Sequence, residues 1–172
     1  MSAACRWNTV HPVTDDTADV AARLEIDDLL TRYATVVDAR RWDDFDQVFT
    51  PDAVLDYRSA GGIRGSMPEV RDWLAAVLVV FTWTQHLVLN RSVELAPGAA
   101  RASARSLFHN PNGAEIAGEP WLFVVGGAYH DRLVRTEAGW RICHRVEETT
   151  WWEHPLPGLP AVPYPVPEDA FA

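Results

Sequence analysis

Between Trp83 and Trp152 the chain carries four long runs rich in aromatic, β-branched and aliphatic residues: WTQHLVLNRSVEL (83–95), ARASARSLFHN (100–110), EPWLFVVGGAYHDRLVRT (119–136) and GWRICHRVEETTWW (139–152). The turns between them are read at APGA, NPNGAE and EAG. Connections this short join antiparallel neighbours, because a parallel crossover needs roughly a dozen residues or more. The runs therefore predict a four-stranded meander. Gly126-Gly127, inside the third run, predicts a bulge or strong bend of the kind that curves a sheet.

Helical patterns precede the strands. In ADVAARLEIDDLLTRYATVVDARRW, residues Val20, Leu24, Ile26, Leu29, Leu30, Tyr33, Val36 and Val37 recur on one broad stripe, with Thr17 or Asp19 as cap and Asp38 near the end. WDDFDQVF reads as a second short helix stopped by Pro51, and AVLDYR (53–58) as a short strand. Gly61, Gly62 and Gly65 mark a loop, and MPEVRDWLAAVL a third helix with Pro68 in its first turn. Helices first and strands afterwards argue an α+β fold with the helices on one face of the sheet. A bent sheet closed by helices makes a cone with a deep apolar pocket, the natural seat of a small ligand. The expected organisation is an N-terminal arm (1–18), one domain (19–153) and a tail (154–172). Residues 155–172 hold six prolines, so the tail is neither a central strand nor a helix. Its Leu, Val, Tyr and Phe residues predict that it packs over the domain and closes the pocket.

Composition narrows the function. A formal net charge of −9 argues against nucleic acid or an anionic membrane surface as partner. No apolar run is long enough to span a bilayer, and the first residues have no signal-peptide core. Cys5 and Cys143, the only cysteines, fit free thiols in a cytoplasmic protein better than a disulfide. The six histidines show no helical ligand spacing, and no CxxC, GxGxxG, Walker-type or HExxH motif occurs, so no metal or cofactor is expected. Eight tryptophans are many for 172 residues and suit the walls of a pocket for a flat ligand, with Trp83 and Trp121 as candidates.

His86 lies in the centre of the apolar stretch FTWTQHLVLN, either as a core histidine with a satisfied hydrogen bond or as the base of a cavity. Asp38, on the helix that would cover the cone, can fix the tautomer of such a ring and stabilise its charged form. Tyr33 and Tyr57 are candidate donors to a substrate oxygen, and His109 and Tyr129 candidate pocket residues. Arg145 alternates with Cys143 and Glu147 on one strand face; it would hold a carboxylate or enolate-like oxygen, or else pair with Glu147 or Glu148.

LLTRYATVVDARRWDDFDQVFTPDAVLDYRS, SMPEV, TQHLVLN and GGAYHDRLVRTEAGWRICHRVEE together resemble the SnoaL-like branch of the NTF2-like superfamily, and within it scytalone dehydratase and the bacterial bile-acid dehydratases. The resemblance covers about residues 20–152 and implies a cone-shaped, curved mixed sheet with helices on its concave face enclosing a pocket. It further implies an Asp-His dyad at Asp38 and His86, a substrate-binding tyrosine at Tyr57, a second pocket histidine at His109, and, from the bile-acid enzymes, Tyr33 and Arg145. Val37 stands where scytalone dehydratase has a further tyrosine, and Tyr129 where it has an asparagine, which points away from scytalone itself. The implied function is a cofactor-independent dehydratase acting on a hydroxylated, polyketide- or steroid-like cyclic molecule, in a homodimer or homotrimer. An isomerase or polyketide cyclase with the same dyad, a non-catalytic binder of hydrophobic ligands, and a small β-subunit of a ring-hydroxylating dioxygenase are the alternatives.

Overall fold

The structure is a computed structural model describing residues 17–98 and 100–171. The expected arm lies outside the described residues up to position 16, as does Cys5. Helix α1 spans Thr17–Asp38 and buries Ala22, Ile26, Leu29, Leu30, Tyr33 and Val37, a stripe at spacings of three and four residues. Val20 and Leu24, expected on that stripe, are exposed. Each lies two residues, about 200° of helical turn, from Ala22 or Ile26, and so faces the opposite way. The second expected helix is a 3₁₀ segment, Trp42–Gln47. Its predicted end instead opens strand β1, Phe49–Asp56, which runs through Pro51.

β2 (Arg64–Ser66) pairs antiparallel with β1, and helix α2 (Met67–Val77) follows at once. Ser66 and Glu69 cap α2 reciprocally, the Ser66 N–H donating to Glu69 Oε2 at 2.8 Å. The remaining strands are β3 (Phe81–Thr84), β4 (Leu87–Leu95), β5 (Arg101–Ile116), β6 (Glu119–Thr136) and β7 (Gly139–Glu153). The sheet order is β2-β1-β7-β6-β5-β3, with β4 also on β5. β1 runs parallel to β7 and the other pairings are antiparallel, so the curved, unclosed seven-stranded sheet is mixed.

Two departures from the expected strands shape the site. The run 83–95 is broken at Gln85-His86, so His86 occupies a gap between β3 and β4 rather than the middle of a strand. NPNGAE is no turn: β5 continues through it to Ile116, paired residue by residue with β6, and the turn falls at Ala117-Gly118. Cross-strand pairing along β6 has overridden the local turn chemistry of Pro and Asn.

The glycine pair in β6 acts as expected. The β6–β7 register slips between Gly126 and Gly127, leaving Thr150 as the extra residue. A Cβ at Gly127 would lie 1.9 Å from the Glu148 carbonyl oxygen, so only glycine permits this bend. A second slip, at Cys143, turns Ile142 onto the same inner face as Arg145, so the simple alternation Cys143-Arg145-Glu147 does not hold. Helix α1, β1 and the inner residues of β5, β6 and β7 share one apolar core. The tail packs back over the domain: the Trp152 indole N–H donates to the Pro160 carbonyl at 3.1 Å, and Tyr164 N–H to the Ser59 carbonyl at 3.1 Å. Asp169 pairs with Arg58 at 2.8 Å and Arg64 at 2.9 Å.

Candidate active site

The concave side of the sheet, α2 and the tail enclose a cavity of about 500 Å³. His86 reaches it because the gap between β3 and β4 frees that residue from the pleat. Asp38, the last residue of α1, holds the ring by its rim. His86 Nδ1 lies 2.6 Å from Asp38 Oδ1, and the His86 backbone N–H donates to Oδ2 at 2.9 Å. The Thr84 hydroxyl adds a third bond, to Oδ1 at 3.1 Å. Burial works to raise the Asp38 pKa, but these bonds and the imidazole outweigh it and hold the carboxyl below its ordinary value. A carboxylate accepting from Nδ1–H leaves Nε2 as the basic nitrogen.

Tyr33 from α1 and Tyr57 from the end of β1 meet inside the cavity, their hydroxyls 2.8 Å apart. Tyr129 of β6 lies edge-on to Tyr33 with ring centroids 5.5 Å apart and stacks on Phe108 at 4.6 Å. Burial raises all three phenols well above their ordinary pKa, so they stay neutral and serve as hydrogen-bond donors.

The other expected residues do not converge there. Arg145 points inward but is sealed behind the tyrosines. Its guanidinium lies 4.0 Å from the Tyr33 ring centroid and 4.2 Å from that of Tyr129. It forms a bidentate pair with Asp131, both bonds 2.7 Å, rather than with Glu147 or Glu148. His109 follows the inward Phe108 in β5, so the pleat sends it to the outer face, where its ring packs on Trp151 at 5.6 Å. Trp83 is 49% exposed on that same face, lying over Gly113, which has no side chain to block it. Trp121 does not line the cavity either; its indole donates to the His154 carbonyl at 2.8 Å. Trp73 and Trp152 form aromatic walls in their place, and Asn110, Asn112 and Glu147 add a polar wall. Glu147 was detectable in the sequence, because it shares a strand face with Arg145. Asn110 and Asn112 were hidden in the apparent turn. Among the described residues no group of three or more His, Cys, Asp or Glu could hold a metal, and no helix is long and apolar enough to cross a membrane.

Fold and site together define a cone-shaped α+β protein with a carboxylate-imidazole dyad in a largely apolar cavity. The sequence profile of the SnoaL-like domain matches residues 18–146, and the chain belongs to that family. It is 44% identical over 131 residues to the uncharacterized protein Rv2910c of Mycobacterium tuberculosis, covering 76% of this chain and 86% of that one. Among solved structures it resembles a provisionally named scytalone dehydratase from Novosphingobium aromaticivorans (TM-score 0.71, 16% identity, covering 84% of this chain and 93% of that one). It likewise resembles the hexachlorocyclohexane dehydrochlorinase LinA-type3 from Novosphingobium barchaimii (TM-score 0.66, 18% identity, 85% and 97% covered). An NTF2-like superfamily protein from Salmonella enterica is a further neighbour (TM-score 0.63, 14% identity, 82% and 96% covered). At these identities the solved structures establish the fold.

Proposed function

We propose that this chain is a cofactor-independent lyase that removes water from a hydroxylated cyclic substrate, with His86 as general base and Asp38 orienting it. The observation that carries this reading is the 2.6 Å contact between His86 Nδ1 and Asp38 at the wall of the cavity. Nε2 takes a proton from a carbon beside a carbonyl. The neutral Tyr33–Tyr57 pair donates to the oxygen on which charge develops. Trp73 and Trp152 suit a flat, polyketide- or steroid-like ring system. The names of two fold neighbours support elimination as the reaction type: one a dehydratase, the other a dehydrochlorinase.

An isomerase or cyclase would use the same base without losing a hydroxyl, and the tyrosine pair favours that alternative equally. Mass-resolved turnover of hydroxylated cyclic ketones separates them. Loss of one water by wild type, abolished in His86→Ala, is the expected result. Turnover without a mass change selects the isomerase or cyclase, and turnover surviving His86→Ala rejects the dyad.

The outer face of the sheet supports a homo-oligomer. Trp83, Leu89, Leu107, Leu122 and Trp151 are all exposed there, an apolar surface a monomer would leave in water.

A further inference from the structure

Elimination of water needs a proton at the departing oxygen, because hydroxide is a poor leaving group. His109 faces away from the cavity and cannot supply it. Two polar groups inside the cavity are not used by the base. Glu147 of β7 stands directly across from Tyr129 of β6 and is only 7% exposed. The Thr149 hydroxyl donates to its Oε1 at 3.1 Å, leaving Oε2 to carry a proton. The Ser59 hydroxyl donates to the Glu147 carbonyl at 2.6 Å and accepts from Thr149 N–H at 2.9 Å, which fixes this part of the strand. Asn110 of β5 donates its amide to the Tyr129 hydroxyl at 3.4 Å, and its Oδ1 is a buried acceptor without a protein partner. One donor and one acceptor thus line the same cavity as His86. That pair fits a hydroxyl group, whose oxygen accepts and whose hydrogen donates.

We propose that Glu147 is the proton donor to the leaving hydroxyl and that Asn110 Oδ1 orients that hydroxyl, which makes the substrate class a cyclic β-hydroxy carbonyl compound. The assignment rests on the dehydratase reading. His86 Nε2 takes the proton from the carbon between carbonyl and carbinol, and the C–H electron pair passes onto the carbonyl oxygen as an enolate. The pair returns to form the C=C bond as the C–O bond breaks. The departing oxygen keeps the C–O electrons, takes the Glu147 proton and leaves as water. The imidazolium then loses one proton to solvent and the carboxylate regains one. The electrostatics agree. Burial pushes the Glu147 carboxyl up to about 7, against the pull of the Thr149 hydroxyl and the Arg145 charge. The neighbouring Tyr33, Tyr57 and Tyr129 stay neutral, and Arg145 is neutralised by Asp131.

The test uses wild type, Glu147→Gln and Glu147→Asp. Infrared spectroscopy near pH 6 should show a protonated carboxyl band that Glu147→Gln removes. Two probes then follow: a cyclic β-hydroxy ketone, and the same ketone carrying p-nitrophenoxide, which departs without acid help. Glu147→Gln should slow hydroxide loss by roughly 10²–10⁴-fold. It should leave p-nitrophenoxide loss and exchange of the α-hydrogen in D₂O nearly unchanged, and Glu147→Asp should restore part of the lost rate. An ionised Glu147 at that pH, unchanged hydroxide loss in Glu147→Gln, or equal slowing of both leaving groups overturns the assignment. Wild type that exchanges the α-hydrogen but expels neither group defeats the dehydratase reading instead. Wild type inert in both exchange and elimination counts against both.

Discussion

Replacing Asp131 by Asn should destabilise this protein more than almost any other single isosteric change. Arg145 and Asp131 have side-chain exposures of 1% and 0%, and two bonds of 2.7 Å join them. The guanidinium packs against both the Tyr33 and the Tyr129 ring, and its Nη1 already lacks a partner. Water therefore cannot take the place of the lost carboxylate charge. Removing one member of a buried pair costs about 3–5 kcal/mol. For a chain of this size each kcal/mol lowers Tm by about 2–4 °C, so the expected fall is roughly 6–20 °C. Thermal melts by circular dichroism measure it, with urea unfolding to verify an unchanged m-value. The double variant Arg145→Met/Asp131→Leu, which removes both charges, should recover most of the loss. A cost below about 1 kcal/mol for Asp131→Asn would refute the reasoning, because it would mean that solvent reaches the guanidinium.

Asp38→Asn should lower activity by roughly 10²–10⁴-fold while the fold persists, since the base loses its orienting carboxylate; an active variant would contradict the dyad. The same substitution should flatten the acid limb of stability. The Asp38 pKa is lowered by folding, so its contribution is present above the ordinary carboxylate pKa and lost as pH falls through the folded value. Glu147 has the opposite sign. Its folded pKa of about 7 lies above the ordinary 4.5, so the native state holds the extra proton and stability falls as pH rises between those values. Subtracting the pH-stability curve of Glu147→Gln from that of wild type isolates this slope, and a flat difference would exclude the raised pKa. Finally, Trp83→Glu with Leu122→Glu should turn an oligomer into a monomer by sedimentation velocity, because both residues stand nearly half exposed on the apolar outer face. A wild type that already sediments as a monomer would rule the interface out.

Much of this was legible in the sequence. The turns at APGA and EAG, the doubled glycine and the stripe of α1 determine the curved sheet and the helix across it, and the resemblance placed Asp38 and His86 together. What failed was phase. Which face a strand residue takes depends on register, and one slip inverts every side chain beyond it. The break at Gln85 and the slips near Trp83 and Cys143 are features of long-range pairing, with no local signature strong enough to locate them. Trp83, expected as a cavity wall, and His109, the pocket histidine that the resemblance implies, both lie on the outer face of the sheet. Arg145 takes the expected inner face but lies deeper than the cavity wall, because its partner Asp131 lies on the adjacent strand and only the cross-strand register brings the two together.

The family profile ends at residue 146, yet Leu156, Pro157 and Leu159 of the tail roof the cavity. His86 and the roof over it are thus encoded in separate stretches of chain. A different C-terminal sequence grafted after Trp152 would redraw the outline of what fits, provided that it kept the bond from Tyr164 N–H to the Ser59 carbonyl, since Ser59 also braces the strand that carries Glu147. The tail is therefore the natural handle for reshaping the cavity, a cover whose anchoring points are few and known: Trp152, Ser59, Arg58 and Arg64.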